Sequence, residues 1–167
     1  MILTKDAILN RIKSGDIKIE PFNLDNLGDG SMDLTLSNEF RIFKKGIKNI
    51  SITETTDYKE YTQLIKTKMI KLKPGELILG ITQEKLKLPP NLCGWLQGRS
   101  RFARLGLTVH VTASFVQPGS ENRQVMEIIN LNKIPLTVHE GDKIMQIVFE
   151  NTEGKSTFQG KFRNQEL

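Results

Sequence analysis

Four side chains in this sequence combine a reactive type with a suggestive spacing: Arg99, Ser100, Arg104 and Glu127. The first three fall within residues 97–113, QGRSRFARLGLTVHVTA, where Gly98 is expected to end a strand and a short helical turn to follow. A guanidinium fork and a hydroxyl beside backbone N–H groups suit phosphate oxygens. Ser100 and Arg104 are four residues apart and share a face if that turn is helical. The plainer reading is a solvated basic turn. Glu127 lies in QVMEIIN, an almost continuous apolar run. If Val125, Glu127 and Ile129 point one way, the carboxylate faces inward or toward a subunit boundary. There it must be paired or have its pKa raised, which is how general bases are made. A structural pairing of Glu127 with Arg99 or Arg104 is the alternative, and residue types alone leave both readings open.

Other chemistries lack their parts. Zinc-dependent base deaminases need a His or Cys ligand, a Glu two residues later and a PCxxC pair. This sequence has two histidines, His110 and His139, and one cysteine, Cys93, so that site cannot be assembled. The run His139-Glu140-Gly141-Asp142-Lys143 fails the HExxH spacing and reads as a turn. Cys93 precedes Gly94 in an apolar strand and is expected to be a buried small hydrophobe. There is no Walker-type loop and no GxGxxG, so no helix-terminus phosphate cradle is signalled. No metal ligand set is expected.

The elements that must position these residues are mostly strands. Thr4 is expected to N-cap a helix over residues 5–14, stopped by Gly15, with Ile8, Leu9 and Ile12 as its apolar stripe. Short β-branched runs follow: IKIEP, MDLTLS, EFRIF, KMIKLKPGELILGITQ, CGWLQG, LTVHVTA, QVMEIINL and IPLTVHEGDKIMQIVFE. KPGE and HEGDK are turns, and LPPN is a rigid connection that blocks ladder pairing. Many short strands at this spacing suggest a barrel or sandwich. The chain of 167 residues suffices for one domain with a sizeable core. Residues 1–150 are read as that domain and 151–167 as a polar, aperiodic tail, either frayed or ordered by a ligand or neighbouring subunit.

Composition narrows the partners. The content is 38% hydrophobic and 26% charged, that of an ordinary globular protein. No apolar run is long enough to span a bilayer, and the first residues lack the features of a signal peptide. With a single cysteine, an intramolecular disulfide is impossible, which fits a cytoplasmic location. The net charge of +5 favours an anionic ligand. The densest basic stretch, KTKMIKLK, alternates as a half-solvated strand does. No basic block is interleaved with aromatics, so a phosphate ester is a better partner than nucleic acid or a membrane.

GRSRFARLGLTVHVTA, the Pro118-Gly119 turn and MEIIN together resemble the dCTP deaminase branch of the dUTPase superfamily. So do MILTKDAI, Ser31-Met32-Asp33-Leu34-Thr35-Leu36, LKPGELILGITQE, LPPNLCGWLQGRS and GDKIMQIVFE. The closing Lys161-Phe162-Arg163-Asn164-Gln165 is similar to that family's phosphate-covering tail. The resemblance spans nearly the whole chain. It implies a mostly β, distorted barrel or jelly roll of the dUTPase-like type with a short N-terminal helix. It also implies a homotrimer with active sites at subunit interfaces, dCTP and dUTP as ligands, and Mg²⁺ carried on the triphosphate. The reaction implied is metal-independent hydrolytic deamination of dCTP to dUTP and ammonia. Glu127 would activate water for attack at cytosine C4, and Ser100 and Arg104 would orient it and stabilise developing charge. The backbone at Thr112 and Ala113 would read the pyrimidine edge. Arg99, Gln146 and Lys161 would hold phosphates, with Gln165 contributing from the tail.

Three positions depart from the family pattern. Gln117 stands two residues before Gly119, where the family usually has Asp. In dUTP-hydrolysing relatives that Asp serves the attacking water, and an amide cannot accept a proton at neutral pH, so diphosphatase activity is disfavoured. Ser120 replaces an aromatic that packs near the deoxyribose, and its loss is expected to enlarge the pocket unless Phe115 fills the volume. Arg101 replaces the second Ser of the usual GRSS and either adds charge for phosphates or crowds the pocket. The competing expectations are a dUTP diphosphatase, a bifunctional enzyme, or a catalytically weak nucleotide-binding paralogue.

Overall fold

Thr4 occupies the N-cap position of α1 (Lys5–Lys13), but its hydroxyl bonds the Asp6 carboxylate rather than a backbone N–H. The sequence expectation of a side-chain cap is therefore corrected, and the helix stops one residue short of Ser14, with Gly15 at φ +80° just beyond. The structure is a computed structural model and describes residues 1–160 and 165–167.

Twelve strands follow: β1 (Lys18–Glu20), β2 (Met32–Leu34), β3 (Leu36–Phe43), β4 (Thr62–Lys66), β5 (Met69–Leu72), β6 (Leu77–Lys87), β7 (Leu92–Gly98), β8 (Leu107–Val109), β9 (Phe115–Val116), β10 (Glu121–Asn130), β11 (Leu136–His139) and β12 (Met145–Asn151). Two single turns of helix, α2 (Tyr58–Tyr61) and α3 (Ser100–Ala103), interrupt them. Among the described residues the strands form three antiparallel sheets, and none of these closes on itself. The mostly β expectation holds, while the barrel is open.

β6 is the hub of the largest sheet, pairing with β1, β3 and β10. Its first half, residues 77–81, is apolar without alternation and mostly buried, while towards Lys87 buried and exposed positions alternate. β10 lies beside it and alternates buried and half-exposed positions along all ten residues, as a strand with one covered face must. Between Arg123↔Lys85 and Val125↔Ile81 the register shifts, two residues of β10 spanning four of β6. Such an irregularity bends the strand and re-aims its side chains. In the second sheet β12 pairs with β7 over residues 92–98 and 145–151, and also with β2.

Fully buried Phe40, Phe149, Ile8, Met32 and Ile81 anchor the interior, each contributing about 1.5–3 kcal/mol of burial. Cys93 is buried as expected, and burial pushes its thiol pKa up.

Three sequence expectations are revised. MDLTLS and EFRIF are not two separate strands: β2 ends at Leu34, and β3 begins at Leu36 inside the first run and continues through the second to Phe43. LTVHVTA is not one strand: β8 ends at Val109, because His110 adopts φ +53°, a left-handed conformation that breaks the ladder. The tail is not simply frayed. Thr152, Ser156 and Phe158 donate backbone N–H groups to Asn91, Pro90 and Pro118 carbonyls at 3.1, 2.8 and 2.9 Å. Gly119 has φ +74°, and a Cβ there would stand 2.9 Å from Thr157 Cα, so glycine is what lets the tail lie against this turn.

Candidate active site

The central stretch of β10 forms one wall of a cleft of about 530 Å³. Glu127 enters from the half-exposed row that it shares with Val125 and Ile129. These three side chains do point one way, as the sequence suggested. Opposite stand the 110–120 connection and the tail: His110, Ala113, Phe115, Gln117, Ser120 and Phe158 all line the cleft, as does Gln165. Glu127 is the only carboxylate among the described residues lining it.

Glu127 is paired, but with neither arginine considered above. Its Oε2 lies 3.3 Å from His110 Nδ1, and the His110 side chain is only 3% exposed. The contact is close yet off the hydrogen-bonding axis, since neither imidazole nitrogen nor Glu127 Oε2 makes an aligned hydrogen bond to a described residue. The imidazole holds the Glu127 carboxyl below its ordinary range, against the burial that would raise it. The expectation of a raised pKa is thus corrected: the neighbour outweighs desolvation.

The proposed partners of Glu127 lie elsewhere on the chain. Ser100 and Arg104 sit at the two ends of the α3 turn, where Arg104 N–H donates to the Ser100 carbonyl at 3.1 Å. Both are exposed, as are Arg101 and Thr112, and none of the four lines the cleft. Arg99 anchors a second polar cluster. Its guanidinium meets Asp33 Oδ2 at 2.9 Å and donates to the Lys143 carbonyl at 2.7 Å. Gln146 belongs to the same surface, accepting from Ser31 Oγ at 2.7 Å. Burial lifts the Asp33 carboxyl above its ordinary range even though Arg99, Lys143 and Arg101 stand near it. Within one chain, then, the basic turn and the carboxylate are not brought together. Ala113, Gln117 and Gln165 do join Glu127. Lys161 lies outside the described residues.

Residues after the gap return to the same wall. Gln165 Nε2 donates to the Arg123 carbonyl at 2.9 Å, and Leu167 is buried in a small cluster with Leu79 and Ile81, flanked by Tyr58 and Val125. Glu166 reaches Arg123 Nη1 at 3.4 Å. Phe115 sits in the cleft wall beside Ser120 and packs on Trp95, with ring centroids 4.8 Å apart.

Sequence reasoning missed His110, Asn122, Gln124 and Tyr58 as lining residues. His110 lay inside a quoted motif but read as a strand residue. Asn122 and Gln124 are polar and gave no sign of being buried.

The model of the family described as dCTP deaminase-like matches residues 2–152. The chain belongs to the dCTP deaminase-like family. A dCTP deaminase from Marinomonas sp. (strain MWYL1) is 37% identical, over 93% of this chain and 86% of that protein. A dUMP-forming dCTP deaminase from Methanosphaera stadtmanae is 36% identical, over 93% of this chain and 81% of the relative. The family therefore includes proteins with two product descriptions at similar distance from this chain. Among solved structures, the 2'-deoxycytidine 5'-triphosphate deaminase from Agrobacterium tumefaciens superposes with a TM-score of 0.70 at 20% identity, covering 89% of this chain. This chain spans 47% of that one. A Staphylococcus bacteriophage 80alpha dUTPase gives 0.53 at 11% identity, over 87% and 90% of the two chains. At such identities these two likenesses speak to the fold, which is dUTPase-like.

Proposed function

We propose that this chain hydrolyses the exocyclic C–N bond of dCTP, presented as its Mg²⁺ complex, to give dUTP and ammonia. The observation that carries this reading is Glu127, the one carboxylate among the described lining residues of the cleft, in a chain that belongs to the dCTP deaminase-like family. Water would attack cytosine C4 while Glu127 takes its proton. The carboxyl passes that proton to ring N3, then takes the second proton from the new C4 hydroxyl and gives it to the amino nitrogen. C4–N cleavage then releases ammonia and leaves the C4 carbonyl. His110 beside it keeps the carboxyl ionised, the form that can take a proton, at some cost in basicity.

Ser100 and Arg104 would complete the site from a neighbouring copy in a homotrimer, since they stand outside the cleft of their own chain. Their surroundings support this reading: Leu105, Val111, Leu131 and Ile134 are all more than half exposed. Arg99, Arg101 and Gln146 would meet the triphosphate on the same subunit boundary. Thr112 and Ala113 would face the base, while Lys161 and Gln165 would act from a tail, 151–167, that closes over the nucleotide. The ligand is a free nucleotide, and the setting is the cytoplasm.

The dUMP-forming alternative rests on similarity to relatives such as the dUMP-forming dCTP deaminase of Methanosphaera stadtmanae. Gln117 in the cleft favours stopping at dUTP, because an amide cannot take the proton of a water attacking phosphorus. The test is incubation of the purified protein with Mg·dCTP and chromatographic separation of dCTP, dUTP and dUMP. A shared site is tested by co-expressing Glu127→Gln with Ser100→Ala. Random trimers would regain about a quarter of the intact sites if each site draws on two copies. Mixtures as dead as either parent would place both residues in one chain's site.

A further inference from the structure

A row of buried polar side chains runs along the cleft wall where apolar ones would be ordinary. Ser120, Asn122 and Gln124 are 3%, 6% and 5% exposed, yet all three line the cleft. The same row continues as Met126 and Ile128, both at 0%, so the strand itself imposes no need for polarity. Buried amides must be hydrogen-bonded, and these are held tightly. Gln124 Nε2 donates to Asn122 Oδ1 at 2.6 Å, and the Gln124 backbone N–H donates to Thr82 Oγ1 at 2.9 Å. Thr82 Oγ1 is fixed in turn by donating to the Glu84 carbonyl at 2.8 Å. The Gln124 side-chain carbonyl accepts no hydrogen bond from another described residue, so a positioned acceptor is left at the cleft wall.

The register shift of β10 against β6 falls at this point, between Arg123 and Val125. It explains how Gln124 and Glu127, on opposite rows of the strand, come to line one cleft. They are three residues apart, about 10 Å along a strand, a backbone spacing that their two long side chains can close onto one nucleoside. Ser120 adds a small side chain where bulk would exclude a substituent.

We propose that the Asn122–Gln124 amide pair reads a pentose hydroxyl, and that the cleft accepts the ribonucleoside triphosphate CTP alongside dCTP. This inference rests on the deaminase reading for its choice of base, but not for its choice of sugar. A 2'-hydroxyl donates to the Gln124 carbonyl. Its absence in dCTP leaves one acceptor unmet while the amide N–H stays bonded to Asn122, so dCTP is retained as well.

The test is calorimetric titration of the wild-type protein with Mg·CTP and Mg·dCTP, paired with ammonia release from each. The two Kd values are expected to agree within about tenfold, since one neutral hydrogen bond separates the ligands. Gln124→Met preserves length and volume. It should weaken CTP by about tenfold and dCTP by less than about threefold. CTP binding more than about a hundredfold weaker than dCTP in the wild type would overturn the proposal without any variant. Equal weakening of both ligands by Gln124→Met would overturn it too, as would failure of both to bind. If both bind in the expected pattern but no ammonia appears, the sugar assignment stands and the deaminase reading falls.

Discussion

His110 Nδ1 stands 3.3 Å from Glu127 Oε2, on a residue whose backbone takes φ +53°. The pair joins a conformation that non-glycine residues seldom adopt to the only carboxylate among the described residues of the cleft. Backbone in that region is commonly held at sites that function by changing shape.

Removing the imidazole should therefore move a proton equilibrium. His110→Ala removes the largest lowering influence and leaves burial opposed by a backbone hydrogen bond alone, so the Glu127 pKa is expected to rise. The acidic limb of the ammonia-release profile should shift to higher pH, because the base becomes protonated sooner. The stability sign follows from the same shift. A depressed carboxylate pKa contributes stability that is present above the unfolded value and lost as pH falls through the folded value. The Tm gap between wild type and His110→Ala should shrink on acidification below the ordinary carboxylate range. An unchanged acidic limb would detach His110 from the titration of Glu127.

Glu127→Gln keeps the shape of the side chain and removes its basicity. Ammonia release should fall by roughly three orders of magnitude or more if Glu127 is the sole base. Nucleotide binding should stay measurable by calorimetry. Near-normal turnover would take Glu127 out of the reaction.

Deamination should survive treatment with a zinc-selective chelator, since the two histidines and single cysteine of the chain cannot supply a deaminase zinc site. Activity lost on chelation and restored specifically by Zn²⁺ would demand another mechanism.

Pyrophosphate should not be released from dUTP at a rate comparable to deamination, because Gln117 offers an amide where a carboxylate is needed. A coupled pyrophosphate assay reads this directly, and matching rates would establish the bifunctional reading.

Gly119→Ala places a methyl 2.9 Å from Thr157 Cα on a backbone at φ +74°. A loss of about 1–3 kcal/mol in unfolding free energy is expected. Limited proteolysis should also cut the variant faster from Lys155 onward, and Mg·dCTP should slow that cleavage in the wild type. Identical digestion of both proteins would show that the tail's contacts with this turn carry little weight.

Local pattern determined much of the molecule. The alternation through β10 fixed which row carries Glu127, and the Gly and Pro signals marked the KPGE, HEGDK and LPPN connections between strands. The apolar setting of Cys93 fixed its burial. These features follow from the two-residue period of a strand and from the φ preferences of single residues, which any short window of sequence contains. Tertiary structure decided the rest. No spacing pattern told that β8 would stop at His110, that this imidazole and not an arginine would meet Glu127, or that the α3 turn would lie outside the cleft of its own chain. Nor could periodicity show that Asn122 and Gln124 are buried, since a polar residue reads as solvated until a neighbouring strand and a docked tail cover it. Those outcomes depend on which distant segments meet. The contacts between strands far apart in sequence set that choice, and no local propensity encodes it.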